Sequence, residues 1–169
     1  IIEYDGTDFV GWQIQKNGLS IQETIQKALT KTLKQKVILY GSGRTDSGVH
    51  AFAQSAHFTN KKKIYDKFSF LNTINFFLNK KKISVLEVNY KNKNFHSRYS
   101  AKKRFYKYLI VNRTASLSLD KNRAWHIKSP LNTELMKKAA KLLEGTKDFS
   151  TYRSSSCSAE SPIRTLEKV

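Results

Sequence analysis

The sequence predicts an α+β fold: an antiparallel sheet with its helices on one face, arranged as two ferredoxin-like halves (split βαβ units), the second incomplete. Three observations predict it. Apolar residues recur with helical spacing in two places in the first half, each followed by a strand-like run. The runs KVILY (36–40) and AFAQSAHF (51–58) are separated by a glycine-rich loop rather than a helix, so the loop joins two strands. A second series of elements then begins near residue 91 and lacks its last helix and strand.

The elements follow in order. IIEY opens a short strand that Asp5-Gly6 breaks. Ser20 and Glu23 form a capping box ahead of Ile21, Ile25, Ala28, Leu29 and Leu33, which share one helical face. KVILY is rich in branched residues, and AFAQSAHF resumes extended structure after the loop. Phe70, Leu71, Ile74, Phe77 and Leu78 repeat at helical spacing, and ISVLEV (83–88) follows as a strand, giving the order β-α-β-β-α-β. The second half reads RFYKYLIVN (104–112) and NRAWHI (122–127) as strands. A helix follows, capped by Asn132, buried through Leu135, Ala139, Leu142 and Leu143, and stopped by Gly145. RTLEKV (164–169) is then a strand left without its partner. The halves meet around YKNKNFHSRYSA, so the expected divisions are 1–90 and 91–169. Because the chain opens at an isoleucine inside a strand, it is expected to be a fragment cut at both ends.

Composition narrows the partner. The 169 residues are 39% hydrophobic and 12% aromatic, enough for a buried core. Thirty-one lysines and arginines against 13 acids leave a formal charge of +18, and a chain that basic repels itself unless a polyanion neutralises part of the charge. Nucleic acid is the expected polyanion. No apolar stretch approaches the roughly 20 residues that span a bilayer, and no basic amphipathic segment stands apart as an anchor, so a membrane is not expected. The single cysteine, Cys157, excludes an internal disulfide, and no signal peptide opens the chain, which points to a reducing cytoplasmic compartment. The lysine runs at 60–63 and 79–82 read as solvated flanks of a helix. Four histidines, 50, 57, 96 and 126, are dispersed along the sequence, so no metal site is expected.

The loop YGSGRTDSGVHAF (40–52) concentrates the chemistry. A phosphate cradle would need Lys-Ser/Thr directly after the last glycine and a helix beyond, whereas Val49-His50 leads into a strand. Asp46-Ser47-Gly48 has the form of an aspartic-protease triplet, but that chemistry needs two carboxylates sharing a proton and only one triplet is present. Two readings remain for Asp46. It is a nucleophilic or basic carboxylate held in a glycine turn with Arg44 favouring its ionised form, or it only satisfies turn amides.

GRTDSGVHAFAQSAHF closely resembles the signature of the TruA family of tRNA pseudouridine synthases, usually Gly-Arg-Thr-Asp-Ala-Gly-Val-His. IEYDGTDFVGWQ, SIQETIQKAL, FHSRYSAKKRFYKYLI and LLEGTKDFSTYR resemble further blocks in the family order, so the resemblance covers nearly the whole chain. It implies the pseudouridine synthase fold and isomerisation of uridine to pseudouridine in the anticodon stem-loop of tRNA, at tRNA positions 38–40. It implies no cofactor and no metal. The implied partner is tRNA rather than DNA, and the implied assembly is a homodimer.

The resemblance also assigns roles. Asp46 is the implied catalytic aspartate, acting on the ribose or the uracil ring or as the base that starts elimination. The target base must leave its stack, at a cost of about a few kcal/mol. Arg44 is expected to enter the space it vacates while pairing with Asp46. Tyr106 matches the family's active-site tyrosine, whose ring stacks on uracil; read from the residues alone, it is equally a core-facing strand aromatic. Arg98, Lys102, Lys103 and Arg104 interleave with Phe105, Tyr106 and Tyr108 as in an RNA groove, or guard a solvated edge strand. Two departures stand out: Ser47 replaces the usual alanine, and Leu78-Asn79-Lys80 stands where the family usually has Leu-Pro. The alternative function is an RNA-binding module of the same fold without turnover. An RNA-recognition motif would show its aromatic signature on a central strand, which RFYKYLIV lacks.

Overall fold

The computed structural model describes residues 1–61, 63–154 and 160–169; Cys157, and Lys62 of the first lysine run, lie outside the described residues. It is a mixed α/β protein of antiparallel strand pairs and, among the described residues, three α-helices. Two compact units divide the chain, Ile1–Leu109 with Leu119–Trp125, and Ile110–Ser118 with His126–Val169.

In the first unit, β1 (Ile2–Tyr4) is the centre of a three-stranded sheet. It pairs antiparallel with β5 (Ile83–Val85), Ile2 opposite Val85 and Tyr4 opposite Ile83. On its other side lies β3 (Ala51–Gln54), where Ile2 faces Gln54 and Tyr4 faces Ala51, so β3 carries one extra residue across the same span. That bulge falls directly after the glycine loop, and Phe52 within it is exposed. After Ser55 the chain continues as β4 (Ala56–His57), which pairs antiparallel with β2 (Tyr40–Gly41).

Helix α1 (Ile21–Leu33) begins where the capping pattern placed it, with Ser20 Oγ accepting from the Glu23 N–H at 3.2 Å. The Glu23 carboxylate pairs with Lys27 at 2.5 Å. Ile21, Ile25, Ala28 and Leu29 are buried and Leu33 partly so, as the spacing requires. They pack in one core with Phe70, Ile74 and Leu78 of α2 (Lys67–Leu78) and with Ile2, Tyr4, Ile83 and Val85 of the sheet. Each such side chain contributes roughly 1.5–3 kcal/mol by leaving water. Asn75 of α2 fastens the β5 edge, accepting from the Val85 N–H at 2.8 Å and donating to its carbonyl at 2.9 Å.

Two expected strands are much shorter than expected. Val37 and Leu39 are buried and Ile38 exposed, the alternation of a strand, yet only Tyr40–Gly41 joins a ladder. The Leu39 N–H and carbonyl bond instead to the side chains of Gln26 (2.9 Å) and Gln22 (2.7 Å) on α1. RFYKYLIVN is a strand only over β6 (Ile110–Asn112); residues 101–109 join no ladder, so Tyr106 is not a strand residue. Residues 91–109 stay with the first unit, where Ser97 Oγ donates to the Tyr40 carbonyl at 2.8 Å and Arg104 to the Ser42 carbonyl at 2.9 Å.

In the second unit, β6 pairs with β7 (Trp125–Ile127), and α3 (Thr133–Leu143) starts at Asn132, whose side chain accepts from the Leu135 N–H at 3.0 Å. The face expected to be buried is not. Leu135, Ala139 and Leu142 are exposed and Leu143 is half-buried, because two small ladders supply too little area to cover an amphipathic helix. The last strand, β9 (Ile163–Leu166), does have a partner. It pairs antiparallel with β8 (Gly145–Asp148), a strand the sequence reading does not contain.

Candidate active site

The loop between β2 and β3 is braced from the segment that follows β1. The Trp12 N–H donates to the Thr45 carbonyl at 2.9 Å, and the hydroxyls of Tyr4 and Thr45 lie 2.8 Å apart. The Ser47 hydroxyl (3.2 Å) and the Gly48 N–H (3.3 Å) both donate to the Phe9 carbonyl. Gly48 sits at φ +77, in the left-handed region, and the Val49 N–H closes the turn onto the Asp46 carbonyl at 3.2 Å. Gly11, at φ +109, lets its own backbone approach so closely that a Cβ would fall 2.6 Å from the Thr45 carbonyl. Tyr4 is buried, which pushes its phenol up, while the Thr45 hydrogen bond acts in the opposite direction; it stays a neutral phenol.

With Thr45 and Ser47 used as anchors, Arg44 and Asp46 are left exposed. Arg44, Thr45, Asp46 and Ser47 form one wall of an open cleft of about 320 Å³, and Val10, Gln13, Ile14 and Gln15 form the other. Among the described residues no hydrogen bond or ion pair engages the Asp46 carboxylate, and the expected Arg44–Asp46 pair is absent. Asp46 is exposed on that wall.

The other expected residues divide. Arg104 reaches the loop, with Nη2 bonded to the Ser42 carbonyl and Nε close to Gly43. Arg98 places its guanidinium over the Tyr99 ring, 5.7 Å from the centroid. Lys102 and Lys103 are exposed. Tyr106 is 87% exposed and does not line the cleft. Arg44 and Asp46 are thus brought together on the cleft wall, and Tyr106 is not brought to it.

Two histidines separated in sequence meet. The rings of His57 and His96 are 4.5 Å apart between centroids, with Tyr40 stacked on His57 at 5.2 Å and Tyr99 4.5 Å from His96. The buried Ser97 meets His57 Nδ1 twice, through its N–H at 3.1 Å and its hydroxyl at 2.9 Å. Burial first, and the nearby His96 second, lower the His57 pKa from 6.5 and keep the ring neutral. His126 bonds to the Arg113 carbonyl at 2.8 Å in the second unit. The sequence reading missed Tyr4, Trp12 and Ser97 as braces of the loop; the only signal for the first two is that they flank Asp5-Gly6 and Gly11 in one block.

The family model described as tRNA pseudouridine synthase matches residues 1–100. The chain is 58% identical over 169 residues to a tRNA pseudouridine synthase A of Pelagibacter ubique, covering all of this chain and 69% of that protein. It is 46% identical to the protein of the same name from Ehrlichia ruminantium, with the same coverage, and 40% identical to that of Neorickettsia sennetsu, covering 70% of it. With its Arg-Thr-Asp loop braced at the cleft wall and these relatives aligned along its whole length, the chain belongs to the tRNA pseudouridine synthase family.

Proposed function

We propose that this protein isomerises uridine to pseudouridine in the anticodon stem-loop of tRNA, with Asp46 as its catalytic carboxylate. The observation that carries the reading is a carboxylate with no protein partner among the described residues, on a loop tied down by Tyr4, Phe9 and Trp12 and open to a cleft. In the reaction the bond from uracil N1 to the ribose C1′ breaks, the base turns, and C5 bonds to the same C1′. C5 gives up its hydrogen as a proton and N1 gains one, so atoms balance without a cofactor. Asp46 attacks the sugar or the ring, or removes the proton that starts elimination; each route needs the ionised carboxylate.

Arg44, on the same wall, is suited to occupy the space left by the flipped base. Tyr106, exposed, is read as stacking on uracil once RNA is bound, and Arg98, Lys102 and Lys103 as meeting phosphates, Lys103 while also making a contact within the protein. Arg104 has a second duty through its bond to Ser42. The split βαβ reading of residues 1–90 is supported by the order β3-β1-β5, with β4 continuing from β3 and pairing with β2; residues 91–169 are read as part of a second such half. By the family resemblance the protein is a cytoplasmic homodimer.

The test is tritium release. With tRNA labelled at uracil C5, the protein should liberate tritium in proportion to pseudouridine formed, and a tRNA without uridines in the anticodon stem-loop should release none. Binding of both tRNAs without release would reduce the protein to an RNA-binding module.

A further inference from the structure

We infer that His50 is a positioning residue for Asp46, holding the outgoing arm of the loop to the chain after β1 by accepting a hydrogen bond from Gly6 that protonation of the imidazole would break. The inference rests on the reading of Asp46 as the catalytic carboxylate. His50 follows Asp46 by four residues and is engaged at both ring nitrogens. Nε2 lies 2.9 Å from the Asn122 carbonyl oxygen, which can only accept, so Nε2 carries a hydrogen. Nδ1 faces two groups with opposite demands: the Gly6 N–H and Asp5 Oδ1, each at 3.1 Å.

A neutral ring has its lone pair on Nδ1 and accepts from Gly6. A protonated ring has a hydrogen there; it pairs with Asp5 and leaves the Gly6 N–H facing another N–H. Asp5 is in place for that exchange, since its Oδ1 is held by the Thr7 hydroxyl (2.6 Å) and N–H (3.0 Å) and its Oδ2 by Arg123 (3.2 Å). Beyond them stands Lys82, paired with Asp8 at 2.7 Å.

Gly6 transmits the choice because it has no side chain. A Cβ on it would run into the Val49 carbonyl, so the two backbones are in direct contact, and the Val49 N–H is the group that closes the turn on Asp46. The route from ring to carboxylate is therefore Gly6, Val49, Asp46, all main chain after the first step. A shift of about 1 Å at a reacting group can cost a hundredfold in rate.

The experiment measures kcat and KM for tRNA across pH in the full-length enzyme, for wild type, His50→Ala, His50→Asn and Asp46→Asn. Asparagine places a non-titrating oxygen acceptor near the Nδ1 position. His50→Ala should lower kcat by roughly ten- to a hundredfold while KM stays within about twofold. His50→Asn should restore most of kcat and make it less sensitive to acidification than in wild type. An unchanged kcat in His50→Ala, or an acid limb shared by wild type and His50→Asn, would overturn the inference; the second comparison decides even if the alanine variant does not fold. Turnover by Asp46→Asn would instead overturn the catalytic reading on which the inference stands.

Discussion

Asp5 is where the contacts behind the loop converge: Thr7, Arg123 and His50 all meet its carboxylate. The Thr7 hydroxyl is the largest influence, and with the Thr7 N–H, Arg123 and His50 it outweighs burial, holding the carboxyl well below its ordinary 3.8. A carboxyl depressed in the folded state binds its proton more readily when unfolded. Its stabilisation is therefore complete above 3.8 and is lost as pH falls from there through the folded-state value. Asp5→Asn should destabilise by about 1.5–3 kcal/mol at neutral pH, the range for hydrogen bonds to charged groups. In thermal melts the gap from wild type should close as pH falls below 3.8; a gap of constant size would show that charge is not the source. At this scale the shared cleft position of Arg44 and Asp46 was legible because one short motif carries both. Their braces were not: Tyr4 and Ser97 act across 41 and 57 residues, and nothing local marks a tyrosine or a serine for such a partner.

Helices were the legible elements, since both their period and their caps are written within a few residues. Ser20 is fully buried and caps α1, so Ser20→Ala should cost about 1 kcal/mol by the loss of the cap, read as a lower denaturant midpoint with unchanged slope. No change in midpoint would mean that another acceptor takes the Glu23 N–H. Strands were less legible because a strand exists only by its neighbour. KVILY has the composition and alternation of one, but glutamine side chains of α1 take the Leu39 backbone groups. GTKD has neither branched nor aromatic bulk beyond Thr146, yet is a strand because β9 lies beside it. The period of α3 was read correctly and its burial was not, since a period says which face is apolar and not whether anything covers it.

Across the whole molecule, the +18 charge provides attraction for a polyanion without specifying chemistry, while the proposed chemistry is confined to the braced loop, a small part of the surface. The two separate under substitution at Asp46. Asp46→Asn keeps the side chain's size and removes the charge, and the wild-type carboxylate has no protein hydrogen bond among the described residues for the fold to lose. The decisive measurement compares wild type and Asp46→Asn, on the same preparations, for tritium release from uracil-labelled tRNA, tRNA affinity and melting temperature. Abolished release, with affinity and melting temperature unchanged, is the predicted result; substantial release by the asparagine variant, or a loss that only tracks a fallen melting temperature, would contradict the catalytic assignment.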